Sequence, residues 1–156
     1  MTDHDPLRPH AHDPNPDPPS ADPAFVLRAG EQEWLLSPDV LRRLPRLRIP
    51  DCTIVSTGHG ASGPFVFEGV SLLVLIRAYA HDTAWSAVEV VSADGFGTRL
   101  GRAELEAEPP ARCCLLALTI DGRPLTRAEG LVRLVVPSET DDALRQVKWI
   151  GRISLV

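Results

Sequence analysis

The chain has 156 residues, 44% of them hydrophobic, and a formal net charge of −5, a size that suits a single domain. Most of the negative charge lies in the first 24 residues, where five aspartates face only Arg8; the remainder is close to neutral and lacks the basic field that nucleic-acid binding requires. No apolar stretch is long enough to span a membrane, no apolar signal core stands at the N-terminus, and three cysteines without Cys-x-x-Cys spacing exclude a disulfide framework or a zinc site, so the expected setting is the cytoplasm.

Residues 1–24 hold seven of the 15 prolines and three of the five histidines. Such a segment buries too little apolar surface to offset its ordering entropy, and it is expected to be a disordered tail in front of a domain over 25–156. His4, His10 and His12 therefore have no fixed geometry for a metal.

Within the domain, residues 25–36 read as a hairpin about Gly30 and Glu31. Ser37-Pro38 opens a helix with Val40, Leu41 and Leu44 on its apolar face, and Pro45 and Pro50 end it. Residues 53–57 form a β-branched strand that runs into a loop with three glycines, Gly58, Gly60 and Gly63, and His59 between the first two. A short strand at 65–67 and a buried helix over 70–79 follow. Residues 88–92 and 96–100 are strands about the turn Ala93-Asp94-Gly95, with a helical turn at 103–105. The most apolar strand is 113–120, which ends at the hairpin signal Asp121-Gly122, and adjacent Cys113 and Cys114 should point to opposite faces as core fillers. Residues 131–136 have the Val/Leu content of a central strand, 137–146 are a polar loop, and 146–150 and 153–156 are the last strands. About eight short strands and two or three helices without regular alternation give an α+β fold rich in mixed β-structure.

Four segments resemble the molybdopterin-binding domain of sulfite-oxidase-type oxidoreductases. They are Phe67-Glu68-Gly69-Val70-Ser71-Leu72; Val91-Ser92-Ala93-Asp94-Gly95-Phe96; Leu116-Ala117-Leu118 through Asp121-Gly122-Arg123-Pro124-Leu125 with Gly130 and Arg133-Leu134-Val135-Val136-Pro137; and Val147-Lys148-Trp149-Ile150 with Ile153. The resemblance covers residues 53–156 and implies a mixed β fold that cradles a molybdenum–pterin cofactor. It further implies pairing of two copies into a homodimer.

In that family a cysteine thiolate holds the metal in a Thr-x-x-Cys-x-Gly-Asn-Gly type segment. Here the stretch is Thr53-Ile54-Val55-Ser56-Thr57-Gly58-His59-Gly60, so Ser56 stands at the cysteine position and His59 at the asparagine position. An alcohol is a far poorer soft ligand than a thiolate. Cys52 lies four residues earlier, about 13 Å along a strand. The acidic run Ser138-Glu139-Thr140-Asp141-Asp142 replaces a loop that is usually glycine-containing and phosphate-holding in the family.

The candidate site residues are therefore His59, as general base or anion contact, and Ser56 as its polar partner or ligand relic. Arg133, Arg145 and Lys148 join them as cofactor or phosphate contacts. Lys148 is the one lysine among 16 basic residues, which suggests a position that needs a compact charge. Asp94 is expected to serve its turn; Arg99 and Arg133 read either as surface strand residues or, through the planar arginine fork, as contacts to an anionic substrate or phosphate. Three readings stand side by side: an oxidoreductase-like member of the family whose molybdopterin site is degenerate and whose molybdenum is lost; a cofactor-free protein that binds a small molecule, or an acid–base enzyme, in the same pocket; and a dimeric interaction module.

Overall fold

The computed structural model describes residues 21–56, 60–138 and 145–156; of Val55 and Ser56 only the backbone is described. The tail expected over 1–24 lies outside this range except for its last four residues, and His59 and residues 139–144 also lie outside it.

The N-terminal hairpin is β1 (Phe25–Ala29) and β2 (Gln32–Leu36), turning at Gly30 with φ of +62°. Helix α1 (Pro38–Leu41) is a single turn that starts with proline in its first position. Two long strands follow, β3 (Leu47–Ser56) and β4 (Gly60–Ser71), paired antiparallel from Leu47↔Gly69 to Ser56↔Gly60. Of the glycine-rich stretch that reads as a loop, the described part from Gly60 onward is strand. Gly60 and Gly63 take positive φ values of +72° and +111° within it, and the tertiary partner strand overrides their turn propensity.

Helix α2 (Leu72–Ala80) starts two residues later than its hydrophobic pattern suggests. Ser71 is its N-cap, accepting a hydrogen bond from Val74 N at 3.3 Å, and Leu72, Leu75, Ile76 and Ala80 form the buried stripe. Strands β5 (Ala87–Ser92) and β6 (Gly97–Gly101) form a hairpin, followed by α3 (Arg102–Ala107) and a 3-10 turn at Pro110–Arg112. Then come β7 (Leu115–Ile120), β8 (Arg123–Pro124), β9 (Arg133–Val135) and β10 (Ile150–Leu155). The strand expected over 146–150 is instead a single bridge, Val147↔Leu134, before β10 begins.

These strands make two five-stranded sheets. The first has the order β2-β1-β10-β5-β6, in which β1 and β10 run parallel and the other pairs antiparallel. The second has the order β3-β4-β7-β8, with β9 on β7. The larger core joins the inner face of the first sheet (Leu27, Val88, Val90, Ile153) to α2 and to one face of β7 and β9 (Leu116, Leu118, Leu134). A smaller core lies across the second sheet, with Ile49, Cys52, Ile54, Phe67, Leu115, Ala117, Ile120 and Val135. Strand β7 feeds both cores, which is why its sequence is apolar at almost every position. Cys113 packs on the smaller core and Cys114 in the larger, the opposite facing that their adjacency predicts. Among the described residues no helix is long and apolar enough to cross a membrane.

Candidate functional site

A cavity of about 510 Å³ opens at the seam of the two sheets, within the size range of small-molecule sites. Its walls come from far-separated parts of the chain. Ile54, Ser62 and Phe65 are supplied by β3 and β4, Ser92, Asp94 and Phe96 by the β5–β6 turn, and Ile120, Asp121 and Arg123 by the β7–β8 hairpin. Ala128, Glu129, Arg133, Gln146, Lys148 and Trp149 complete it.

The basic side chains enter it for a simple reason of register. Leu134 and Val147 exchange both backbone hydrogen bonds, N to O at 2.8 and 3.3 Å, and both side chains lie in the larger core. Strand alternation then turns their neighbours Arg133, Gln146 and Lys148 to the opposite face, toward the cavity.

Arg133 and Gln146 are each more than nine-tenths buried. Arg133 stacks its guanidinium over the Phe67 ring, 5.8 Å from the centroid. Its Nε finds no acceptor, and Gln146 Oε1 finds no donor, among the described residues. Burial pulls the Arg133 pKa down to about 10, with the Glu129 charge opposing. Lys148 is lowered as well, first by burial and then by the Arg133 charge beside it, again opposed by Glu129. Two cations are thus held side by side in a partly desolvated cavity, and no acid lies within ion-pair distance of either among the described residues.

The carboxylates that line the cavity are already engaged. Glu129 forks onto Arg123, with bonds of 2.5 and 2.7 Å, and accepts from Thr126 N and Oγ1, which holds its carboxyl down at about 2. Asp94 Oδ1 accepts from Ser92 Oγ and Phe96 N, the turn role that the sequence suggests. Asp121 Oδ1 accepts from Val66 N.

The backbone around Lys148 is tightly set. Trp149 has φ of +50°, an unfavourable value for a bulky residue. It is pinned by Trp149 N to Gly130 O at 2.9 Å, Ala93 N to Trp149 O at 2.8 Å, and Trp149 Nε1 to Arg127 O at 2.6 Å. A Cβ on Gly130 (φ +115°) would meet Lys148 Cβ at 2.8 Å, so the 126–130 turn is the surface against which Lys148 rests.

The sequence candidates divide accordingly. Arg133 and Lys148 come together in the cavity. Arg145 does not line it; its guanidinium meets Glu104 of α3 at 2.7 Å, which lowers the Glu104 carboxyl. Arg99 is a surface strand residue paired with Glu89 at 2.8 Å. Ser56 ends β3, two residues beyond cavity-lining Ile54, and His59 lies outside the described residues. Gln146 and Glu129 were not singled out by sequence, Trp149 only as part of a family segment, and Arg133 through its family segment and the fit of a guanidinium to an anion.

The donor set fits an anion and gives no thiolate to a metal. Cys52 is buried in the smaller core with its Sγ on Ile49 O and Pro50 O at 3.6 and 3.7 Å, and burial raises its pKa. Cys113 and Cys114 line a different cavity, where burial likewise raises both thiols and Cys114 donates to Glu108. No cluster of three or more His, Cys, Asp or Glu side chains suited to a metal ion occurs among the described residues. Among the described residues, no cysteine thiol lines this cavity to hold a metal.

No curated protein matches the chain. Among solved structures, the sulfane dehydrogenase SoxCD from Paracoccus pantotrophus aligns with a TM-score of 0.65 at 19% identity, over 85% of this chain and 37% of the other, a likeness of fold. The chain thus spans little more than a third of that protein. The family model described as the oxidoreductase molybdopterin binding domain matches residues 42–156. With the sulfite-oxidase-type fold and all four sequence segments contributing to one cavity or its supports, the chain belongs to the oxidoreductase molybdopterin-binding domain family.

Proposed function

We propose that this protein is a degenerate member of its family, in which the cavity at the sheet seam binds a small anion and no longer holds molybdenum through a protein thiolate. The observation that supports the reading is the Arg133–Lys148 pair, two partly desolvated cations without an ion-pair partner among the described residues. Such a pair is costly unless an anion joins it. Serine at the position of the metal-binding cysteine, with no other described cysteine in the cavity wall, supports the loss of the metal. In this reading Lys148 supplies a compact charge and Arg133 a directed N–H, while Phe65, Phe96 and Trp149 exclude water from one side.

The test is elemental analysis for molybdenum, together with pterin fluorescence, on protein purified from a host that makes the cofactor. The expected result is neither signal in stoichiometric amount, and saturable binding of inorganic phosphate by calorimetry. Near-stoichiometric molybdenum and pterin would overturn the reading in favour of a working oxidoreductase, which the convergence of the family segments on one cavity also supports. Homodimer formation and a cytoplasmic location belong to the same proposal and are read by light scattering and cell fractionation.

A further inference from the structure

A second cavity, of about 350 Å³, lies between α2 and α3 and shares no lining residue with the first. Its wall is largely aliphatic: Leu73 and Val74 from α2, Leu105 from α3, Leu47 from β3 and Pro110 from the 3-10 turn. Such a lining suits the apolar body of a small molecule. Three charged side chains also reach it, Arg77, Glu106 and Glu108. Arg77 lies 3.6 Å from Glu106, which in turn accepts from Arg102 Nε at 3.0 Å, so these charges answer one another. Glu108 is different. It is half-buried, and its carboxylate is held by Cys114 alone, accepting from Cys114 N at 3.0 Å and from Cys114 Sγ at 3.2 Å. Both donors are neutral, and no cation pairs with Glu108 among the described residues. Arg145, whose charge reaches Cys114, is engaged by Glu104 at 2.7 Å. A carboxylate partly withdrawn from water beside an apolar wall, with acceptor positions to spare, is completed by a cation that also carries N–H donors.

We propose that this cavity binds a small primary amine with an apolar body. The ammonium meets the Glu108 carboxylate, and the body lies against Leu47, Leu73, Val74 and Leu105. The Cys114 clasp fixes the carboxylate at the cavity wall before the ligand arrives, so little side-chain ordering is left for the binding step. The site does not depend on the anion-binding reading: it has other walls and takes the opposite charge, so either can fail while the other stands.

The experiment is titration of the full chain at neutral pH with hexylamine, hexanol and hexanoate, which share a body and differ in charge, followed by the methyl resonances of the protein. Hexylamine is expected to move the methyl signals of Leu73, Val74 and Leu105 and to leave those of Ile54 and Ile120, which line the first cavity, in place. It should bind about tenfold more tightly than hexanol, the ratio that a hydrogen bond to a charged group gives, and hexanoate should bind more weakly than hexanol. Glu108→Gln keeps an acceptor for Cys114 N and removes the charge, and it should bring hexylamine and hexanol within about twofold of each other. The wild-type ranking needs no variant and stands as a test by itself. Hexanol binding as tightly as hexylamine, or a preference for hexylamine that survives Glu108→Gln, overturns the ammonium contact. Absence of movement at Leu73, Val74 and Leu105 with hexylamine overturns the site.

Discussion

Lys148 carries the most testable chemistry at the scale of single residues. Burial, then the adjacent Arg133 charge, lowers its pKa below the ordinary lysine value. The sign follows directly. The folded protein releases this proton at a lower pH than the unfolded chain does, so across that window the ligand-free fold gains stability as pH rises. Anion affinity moves the opposite way, because it needs the ammonium. Phosphate affinity should therefore begin to fall at a pH below the usual lysine range, and Lys148→Met should lower the plateau and remove that first decline. Gly130→Ala tests the support of this lysine. A Cβ there meets Lys148 Cβ at 2.8 Å on a backbone with φ of +115°, and it is expected to weaken phosphate binding about tenfold and to cost about 1–2 kcal/mol of stability, read by titration and denaturation. Ser56→Cys tests the proposed loss of the metal. It places a thiol at the end of β3, and on the proposed reading protein made in a cofactor-producing host should then carry more molybdenum than wild type, by elemental analysis. Lys148 was legible in the sequence because the chain uses lysine once. Gln146 was not, because nothing local distinguishes a glutamine that faces solvent from one that Val147 and Leu134 turn inward.

Among the elements, β4 shows where local reasoning fails. Gly60 and Gly63 look like loop residues, and the positive φ angles they adopt agree with that. The stretch is nevertheless strand, because β3 supplies backbone partners from Ser56 back to Leu47. Pairing is a property of two distant segments, and neither announces it alone. Gly69 was visible only as part of a family segment, yet its physical role is definite. It lies where β4 crosses β7 at a register shift, and a Cβ on it would sit 1.9 Å from Leu116 O, a backbone atom in the doubly buried strand. Gly69→Ala must push β4 and β7 apart. It is expected to cost about 3 kcal/mol or more, seen as a lower urea midpoint with an unchanged slope. An unchanged midpoint would mean that the two strands can separate freely, against the close packing described. The apolar content of β7, by contrast, was readable in advance, since a strand that feeds two cores has no polar face to display.

For the whole molecule, the cavity and the fold's closure share one piece of chain. Residues 145–149 carry Gln146, Lys148 and Trp149 and lead directly into β10, which pairs parallel with β1 and antiparallel with β5 at the centre of the first sheet. The opposite wall, with Ile54, Ser62 and Phe65, belongs to the second sheet. A ligand in the cavity thus touches both sheets and the segment that joins the last strand to the rest. The α+β class was legible from strand count and irregular order; the meeting of the two sheets around a cavity was not, because it depends on parallel pairing between chain ends that local pattern does not encode. The consequence is that anion binding should stabilise the entire fold rather than a loop. At a phosphate concentration about 100 times its dissociation constant the gain is about 2.7 kcal/mol, and with roughly 2–4 °C per kcal/mol for a chain of this size the melting midpoint should rise by about 5–10 °C. Lys148→Met should show little shift with phosphate. Thermal scans of wild type and variant, with sodium chloride matched for ionic strength, separate this from general screening. If chloride alone reproduces the wild-type shift, the cavity cations are neutralised nonspecifically and the ligand contributes nothing to closure.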